Sequence, residues 1–571
     1  MTTSRQPALL GIDVGTSSVK LLLYFLGETV PDAGRMRTVR VPVRVSHPRA
    51  GWSEADPLVW WRAIRLAVRQ LDPSDAHILG IGLSTLFPSL VITNHRGRSL
   101  RPAILYDDRR STAEVEEFAH SPFAHPALQH LLTGNLVRPG TISLSSLLWV
   151  KRHEPKVLDD MYLLGDAGMY LRLRLTGRYV MDATCASLSG LYATASGEAW
   201  LRGVCRARGV PIEKVSKRLA DLTYADYLDL LTAGRPDLRE QILADMPPGM
   251  DRDALGRERI TLPEPGWVDV LVDAVGLETE WLPQVLWPGD CLARLMDTEA
   301  KAVGLERGTP VAVGAGDTAC AALGLGLATE EEVAASCGST DCLMSLQRTA
   351  VFSTRTMNVA YMDADTWLAI APMSATGAAV DWFVRTFLGR GPRGHDRFFR
   401  LAAKAPAGSR GLVFLPYLAG ERSPVFDPSA RGMFFGLTHE TGLAEMARAV
   451  IEGVAFGHRQ ILRMADVRLG RQVERVIAAG GGTANPLWRQ IRADAADRPY
   501  LYADCPEVSA LGAALLGGVA AGVFNTWQDA AAEARRRVRF TEVRPDPGAW
   551  HRLQRNFEVY SSLYDAVKHC F

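Results

Sequence analysis

The stretch Leu10-Gly11-Ile12-Asp13-Val14-Gly15-Thr16-Ser17-Ser18-Val19-Lys20, followed by the apolar run from Leu21 to Phe25, decides the architecture. Apolar residues on both sides of a short polar turn predict two strands, Leu9 to Asp13 and Val19 to Phe25, joined as a hairpin. A second stretch repeats the scheme: Val311-Ala312-Val313-Gly314-Ala315-Gly316-Asp317-Thr318-Ala319-Cys320, with Ser336-Cys337-Gly338-Ser339-Thr340-Asp341 shortly after it. Glycines in such turns let backbone amides approach an anion closely. Each stretch also sets one carboxylate at its turn, where it can hold a metal or accept a proton. Two half-sites of this kind imply two lobes closing on a phosphorylated ligand.

At 571 residues the chain is too long for one core, so two large lobes are expected. Its 64 basic and 63 acidic side chains leave a formal net charge of +1, which gives no electrostatic footprint for nucleic acid or an anionic membrane. The run Arg535-Arg536-Arg537 reads as a solvated helix face. Eight cysteines show no CxxC pair and no paired metal-ligand spacing, so they read as reduced, mostly buried thiols of a cytoplasmic protein. The first seven residues carry no apolar signal region, and the Gly/Ala-rich stretch from Ala510 to Phe524 is shorter than a membrane span. A buried helix explains that stretch.

Further strands are expected near Val39 to Val45, Ile78 to Leu83 and Ser89 to Thr93, the last ending at the turn Asn94-His95-Arg96-Gly97. Gly51-Trp52-Ser53-Glu54-Ala55-Asp56-Pro57 leads into a helix with Trp60, Ile64 and Val68 at helical spacing. Residues 201–265 are charged, broken by Pro247-Pro248-Gly249, and read as a largely helical insertion. After Asp317 the strands resume at Asp341 to Ser345, Met357 to Met362 and Trp367 to Ala371, with helices from Ala378 to Phe387 and Leu443 to Met464. Val476 to Ala479 is a short strand feeding Gly480-Gly481-Gly482. The repeated order of strand, glycine turn and strand suggests a duplicated core.

No GxxxxGK[ST] motif occurs, which removes the P-loop route to phosphate binding. Gly15, Thr16, Ser17 and Ser18 offer amides and hydroxyls instead, with Lys20 adding charge and Asp13 placed to hold magnesium, through water. Phosphoryl transfer also needs a group that orients or deprotonates the attacking hydroxyl, and Asp317 suits that role on a strand-to-helix turn. Asp317 equally suits a helix N-cap, and the two roles are compatible. Gly338, Ser339 and Thr340 form a second phosphate cradle, while Gly480 to Asn485 can pass close to a flat base or a phosphate.

Taken together, these residues resemble the FGGY family of carbohydrate kinases, on the α/β, two-lobe actin-like ATPase (ribonuclease H-like) fold with a central cleft. The resemblance runs from about residue 8 to 525, outside the charged insertion. It includes Gly51 to Pro57, Ile104-Leu105-Tyr106-Asp107-Asp108-Arg109-Arg110, Leu175-Thr176-Gly177, the stretch Gly420 to Gly432, Ala479 to Asn485 and Ala510-Leu511-Gly512-Ala513-Ala514. It implies an amino-terminal sugar-binding lobe, residues 8–326, and a carboxy-terminal nucleotide-binding lobe, residues 327–571. It also implies ATP and Mg²⁺ as cofactors and a sugar or polyol as the small-molecule partner. Asp317 becomes the base, and Asp13 the metal-linked aspartate. Gly15 to Ser18 and Gly338 to Thr340 become the phosphate loops, while Gly481, Gly482 and Asn485 fall at the nucleoside. Asp108 and Arg110 match a loop that contacts the sugar. A homodimer is compatible with this reading, and nothing points to a membrane.

Departures bear on the acceptor. Xylulose kinases of the family carry Gln-Met-His-Gly after the strand ending at Ser84, where this chain has Leu86-Phe87-Pro88-Ser89. The Arg-Glu pair of glycerol kinases is missing too, and Thr318 follows Asp317 where many relatives have Asn or Gln. Phe87 and Thr318 therefore line a less polar sugar pocket. A ketopentose such as xylulose is the leading acceptor. The alternatives are a polyol or sugar acid, or a sugar sensor or ATPase switch without phosphoryl transfer.

Overall fold

The computed structural model describes every residue except 1–4, 28–34, 120–128, 130–131, 209, 212, 214–222, 233–263, 349–352, 354 and 390–392. The chain forms two compact units. The first comprises Met1–Cys320, Gln347–Leu368 and Ser509–Ala530; the second comprises Ala321–Leu346, Ala369–Val508 and Ala531–Phe571. This differs from the single cut after residue 326 expected from the sequence, because two later segments return to the first unit.

In the first unit the opening hairpin is β1 (Gln6–Val14) and β2 (Ser18–Phe25), paired antiparallel with Asp13 opposite Lys20. The edge strand β3 (Met36–Pro42) extends it antiparallel to β2. On the other side β4 (Ala76–Thr85) runs parallel to β1, then β5 (Pro310–Ala312) parallel to β4. The short strand β6 (Ala315–Gly316) also pairs with β4, placing Ala315 beside Ser84. Helix Pro57–Leu71 begins with Pro at its first position and Asp56 as its cap, accepting from Leu58 N over 2.9 Å. Its apolar face, including Trp60, Trp61, Ile64 and Val68, is buried in the core beside this sheet.

The second unit repeats the plan. Strands β7 (Glu332–Cys337) and β8 (Asp341–Gln347) form an antiparallel hairpin. Outside β8 lies β9 (Trp367–Met373). On the other side β10 (Arg475–Ala479) runs parallel to β7 and β11 (Tyr500–Ala503) parallel to β10. Each unit thus has an antiparallel hairpin with a further strand beyond its second strand, and parallel strands from later in the chain beside its first. The duplicated core is real at the level of topology.

Why residues 509–530 belong to the first unit is a matter of glycines. Helix Val508–Ala520 lies directly on β1 and β4, and a Cβ on Gly11 or Gly82 would stand 1.8 Å from the carbonyl of Ala510 or Ala513. Gly80 meets the Gly517 carbonyl in the same way, at 2.0 Å. Small residues on helix and sheet bring the two backbones together, which accounts for the Gly/Ala-rich stretch. Residues 347–368 are tied in by polar bonds: Asn358 exchanges backbone and side-chain bonds with Asn135, and Trp527 Nε1 donates to Asp363.

Most of the expected insertion at 201–265 lies outside the described residues; of its described parts, helices Gly197–Arg208 and Tyr224–Leu231 are formed. Among the described residues no helix is long and apolar enough to cross a membrane.

Candidate active site

In the first unit, parallel pairing lays Asp13, Ser84 and Ala315 side by side on three strands. The Ser84 hydroxyl donates to Asp13 Oδ1 over 2.7 Å, and Lys20 Nζ meets Asp13 Oδ2 at 3.0 Å. Asp13 is buried. Asp317 opens helix Asp317–Gly324 immediately after β6, and Thr318 Oγ1 bonds to its carboxylate at 3.2 Å. Burial and the negative charge of Asp13 raise the Asp317 carboxyl to about 7. Two acids and one lysine in this corner leave negative charge uncompensated, so the hard oxygen donors fit a divalent cation of the Mg²⁺ type.

The turn between β1 and β2 closes through Gly15 N donating to the Ser18 carbonyl over 3.0 Å. Ser17 is exposed and Thr16 half-buried at its tip, whereas Ser18 is buried inside β2. The sequence grouped all four as one phosphate loop; the pleat points Ser18 inward. Phe87 is buried against the aspartate loop, and a Cβ on Gly316 would come within 2.4 Å of its ring.

Asp108 and Arg110 are brought together, but as a self-contained knot. Asp108 accepts from Ser53 N at 2.6 Å and from the Arg110 amide and guanidinium at 2.7–2.9 Å. Arg110 also reaches Glu54 at 2.7 Å and lies 3.8 Å from the Trp52 ring centroid. Every guanidinium nitrogen of Arg110 therefore has an internal partner, so its visible work is to fix the loop carrying Trp52 and Asp108. Trp61 is core, and His458 is a buried histidine bonded to Asp341.

In the second unit the hairpin turn at 338–340 mirrors the first: Gly338 N donates to the Thr340 carbonyl over 3.0 Å, and Ser339 and Thr340 are exposed. The Gly338 amide also reaches Asp341 Oδ1, so it faces inward. Beyond β10 the chain turns at Gly481–Thr483 into helix Pro486–Ala496, whose cap is Asn485. Gly480 holds a positive φ of 108°, and a Cβ there would strike the Cys337 carbonyl at 2.2 Å. Gly481 has open space around it. The glycine run is therefore packed on one side against the 338–340 hairpin and free on the other.

Comparison with known proteins matches both units. Residues 8–226 match the FGGY family of carbohydrate kinases, N-terminal domain, and residues 333–521 its C-terminal domain. The chain belongs to the FGGY family of carbohydrate kinases. It is 29% identical over 524 residues to the xylulose kinase of Escherichia coli (strain K12), covering 90% of each. It is also 22% identical over 532 residues to the gluconokinase of Bacillus subtilis (strain 168), covering 91% of this chain and 88% of that protein. The crystal structure of xylulose kinase from Rhodospirillum rubrum matches with a TM-score of 0.74 at 26% identity, covering 98% of this chain and 99% of that one. The fold is the two-domain actin-like ATPase fold of these sugar kinases, and the kinase phosphorylates a small sugar-like acceptor.

Other residues of the kinase escaped the sequence reading. Arg172 is fully buried and donates to the Val313 carbonyl at 2.6 Å and to Asp182 at 2.5 Å, bracing the segment that ends at Asp317. Ser84 is another: only the parallel register of β1 with β4 sets it opposite Asp13. Arg492 carried a signal: it stands four residues after Trp488, on the apolar face of its helix. Two clusters of metal-ligating type occur among the described residues, Asp166/Asp182/Cys185 and Cys337/Asp341/His458. Each already holds an arginine on its aspartate, Arg172 or Arg492, so the cationic charge is supplied by protein. Burial, with Asp13 beside it, pushes the Cys320 thiol far up, leaving it inert.

Proposed function

We propose that this kinase transfers the γ-phosphoryl group of ATP to a hydroxyl of a ketopentose such as xylulose, with Asp317 as the base. Supporting the base role is one observation above others: a carboxylate with its pKa raised to about 7, at the mouth of a strand-to-helix turn, beside a second aspartate. A base poised near neutrality takes the hydroxyl proton as the oxygen attacks phosphorus. Thr318 and Arg172 support Asp317, one through its carboxylate and one through the Val313 carbonyl. Phe87 excludes water beside the acceptor, and Asp108 with Arg110 fixes the loop that borders it.

Within the first unit the tip Thr16-Ser17 is the phosphate-binding turn, with Lys20 adding charge; within the second, Ser339-Thr340 plays that part and the nucleoside lies along Gly481, Gly482 and Asn485. Asp13 would hold Mg²⁺ in this site, and the ion would supply neutralisation of phosphate charge when bound with ATP. Similarity to xylulose kinases supports the ketopentose, and the gluconokinase relative supports a sugar acid as second reading. ADP release measured with MgATP across ketoses, aldoses, polyols and sugar acids decides between them. A ketopentose giving the highest kcat/KM fits the proposal; a sugar acid exceeding it by tenfold transfers the assignment.

A further inference from the structure

Beneath the two loops of the second unit lies an ion pair with no solvent access. Asp341 and Arg492 are both 0% exposed, and Arg492 Nη2 donates to Asp341 Oδ2 over 2.9 Å. The other ends of these side chains go to different loops. Asp341 Oδ1 accepts the Gly338 amide at 3.0 Å and the Thr376 hydroxyl at 2.7 Å. Arg492 Nη1 donates to the Gly482 carbonyl at 2.8 Å. One continuous path therefore runs from the 338–340 turn through Asp341 and Arg492 to the glycine run.

The surroundings hold that path rigid. His458 Nε2 donates to Asp341 Oδ2 over 2.9 Å, and its other ring nitrogen faces the Tyr500 hydroxyl at 3.4 Å. Thr376 grips the same turn from its far side, its amide donating to the Ser339 carbonyl at 3.1 Å. The Arg492 guanidinium sits 4.2 Å from the Trp488 ring centroid. Burying two charges costs desolvation that their attraction only roughly offsets, so such a pair adds little stability over apolar residues of the same size. What it does add is direction: four acceptor positions on one carboxylate and a planar donor fork fix distances that apolar packing leaves loose.

We propose that Asp341 and Arg492 are positioning residues for the nucleotide, setting the spacing between the 338–340 turn and the 480–482 run. The inference rests on the reading that these two loops bind ATP. A phosphate chain and its nucleoside touching both loops need that spacing fixed before binding, since ordering it afterwards is subtracted from affinity.

The test is ADP affinity by calorimetry, KM for MgATP and for the best acceptor, and melting temperature. It uses the wild type, Arg492→Met, Arg492→Lys and the double variant Asp341→Leu/Arg492→Leu. The double variant leaves no unpaired buried charge, and so covers the case in which Arg492→Met does not fold. Expected are an ADP Kd and a KM for MgATP at least tenfold higher in Arg492→Met and in the double variant. Acceptor KM should stay within twofold, and Arg492→Lys should recover part of the loss. Folded variants with ADP affinity within twofold of wild type would overturn the bridge, as would acceptor and nucleotide KM rising together. Failure of the wild type itself to bind ADP would overturn the underlying reading of the loops.

Discussion

Gly316 exists to make room for Phe87: a Cβ at residue 316 would stand 2.4 Å from the Phe87 ring. The contact couples the buried aromatic after β4 to the residue just before Asp317. Gly316→Ala is therefore expected to cost about 1–3 kcal/mol of stability through overpacking and to lower kcat by shifting Asp317. Adding Phe87→Leu should return most of the melting temperature, because the two sites are coupled. Equal Tm losses that simply add, measured by calorimetry across the four proteins, would break the coupling.

A second prediction concerns pH. Asp317 holds its proton more tightly in the folded chain than an ordinary aspartate, with a pKa of about 7 against 3.8. The folded state thus binds more protons than the unfolded one between those values, so this group makes stability fall as pH rises through the window. Asp317→Asn, which cannot ionise, should melt a few degrees above wild type at pH 8 and at nearly the same temperature at pH 4. A difference that is constant with pH would show that the carboxylate is not held near neutrality.

Backbone contact between helix Val508–Ala520 and the first sheet gives a third. Gly82→Ala puts a methyl group 1.8 Å from the Ala513 carbonyl, a backbone atom that cannot swing aside. The expected loss is about 3 kcal/mol or more. Gly481→Ala, in open space, should leave stability within about 0.5 kcal/mol of wild type. Urea denaturation of the two variants separates them; similar midpoints would contradict the packing argument.

What the sequence made legible was local. The hairpin around Asp13, the strand after Gly338, the helix that follows Gly51 to Pro57 and the strand feeding Gly480 all follow from residues within a dozen positions of one another. Asp317 at a strand-to-helix turn was legible for the same reason. Contacts that close over hundreds of residues were not. Gly11 against Ala510 and Asn135 against Asn358 moved two segments from the second unit to the first, and no period or motif signals such pairing. The same holds for the partner of Arg492: its place on an apolar helix face signals burial, but nothing in the sequence points to Asp341, and only the parallel pairing of β7 with β10 brings their two loops together. Asp108 and Arg110 were found as a pair, while their mutual saturation depended on Glu54 and Ser53 folding over them.

The most direct test of the central claim compares kcat and ADP affinity in wild type and Asp317→Asn, using the best acceptor with MgATP. Loss of a general base predicts a kcat lower by about 10²–10⁴-fold, with ADP affinity within a factor of about three. Turnover within tenfold of wild type, at unchanged nucleotide affinity, would contradict Asp317 as the base on which the site is built.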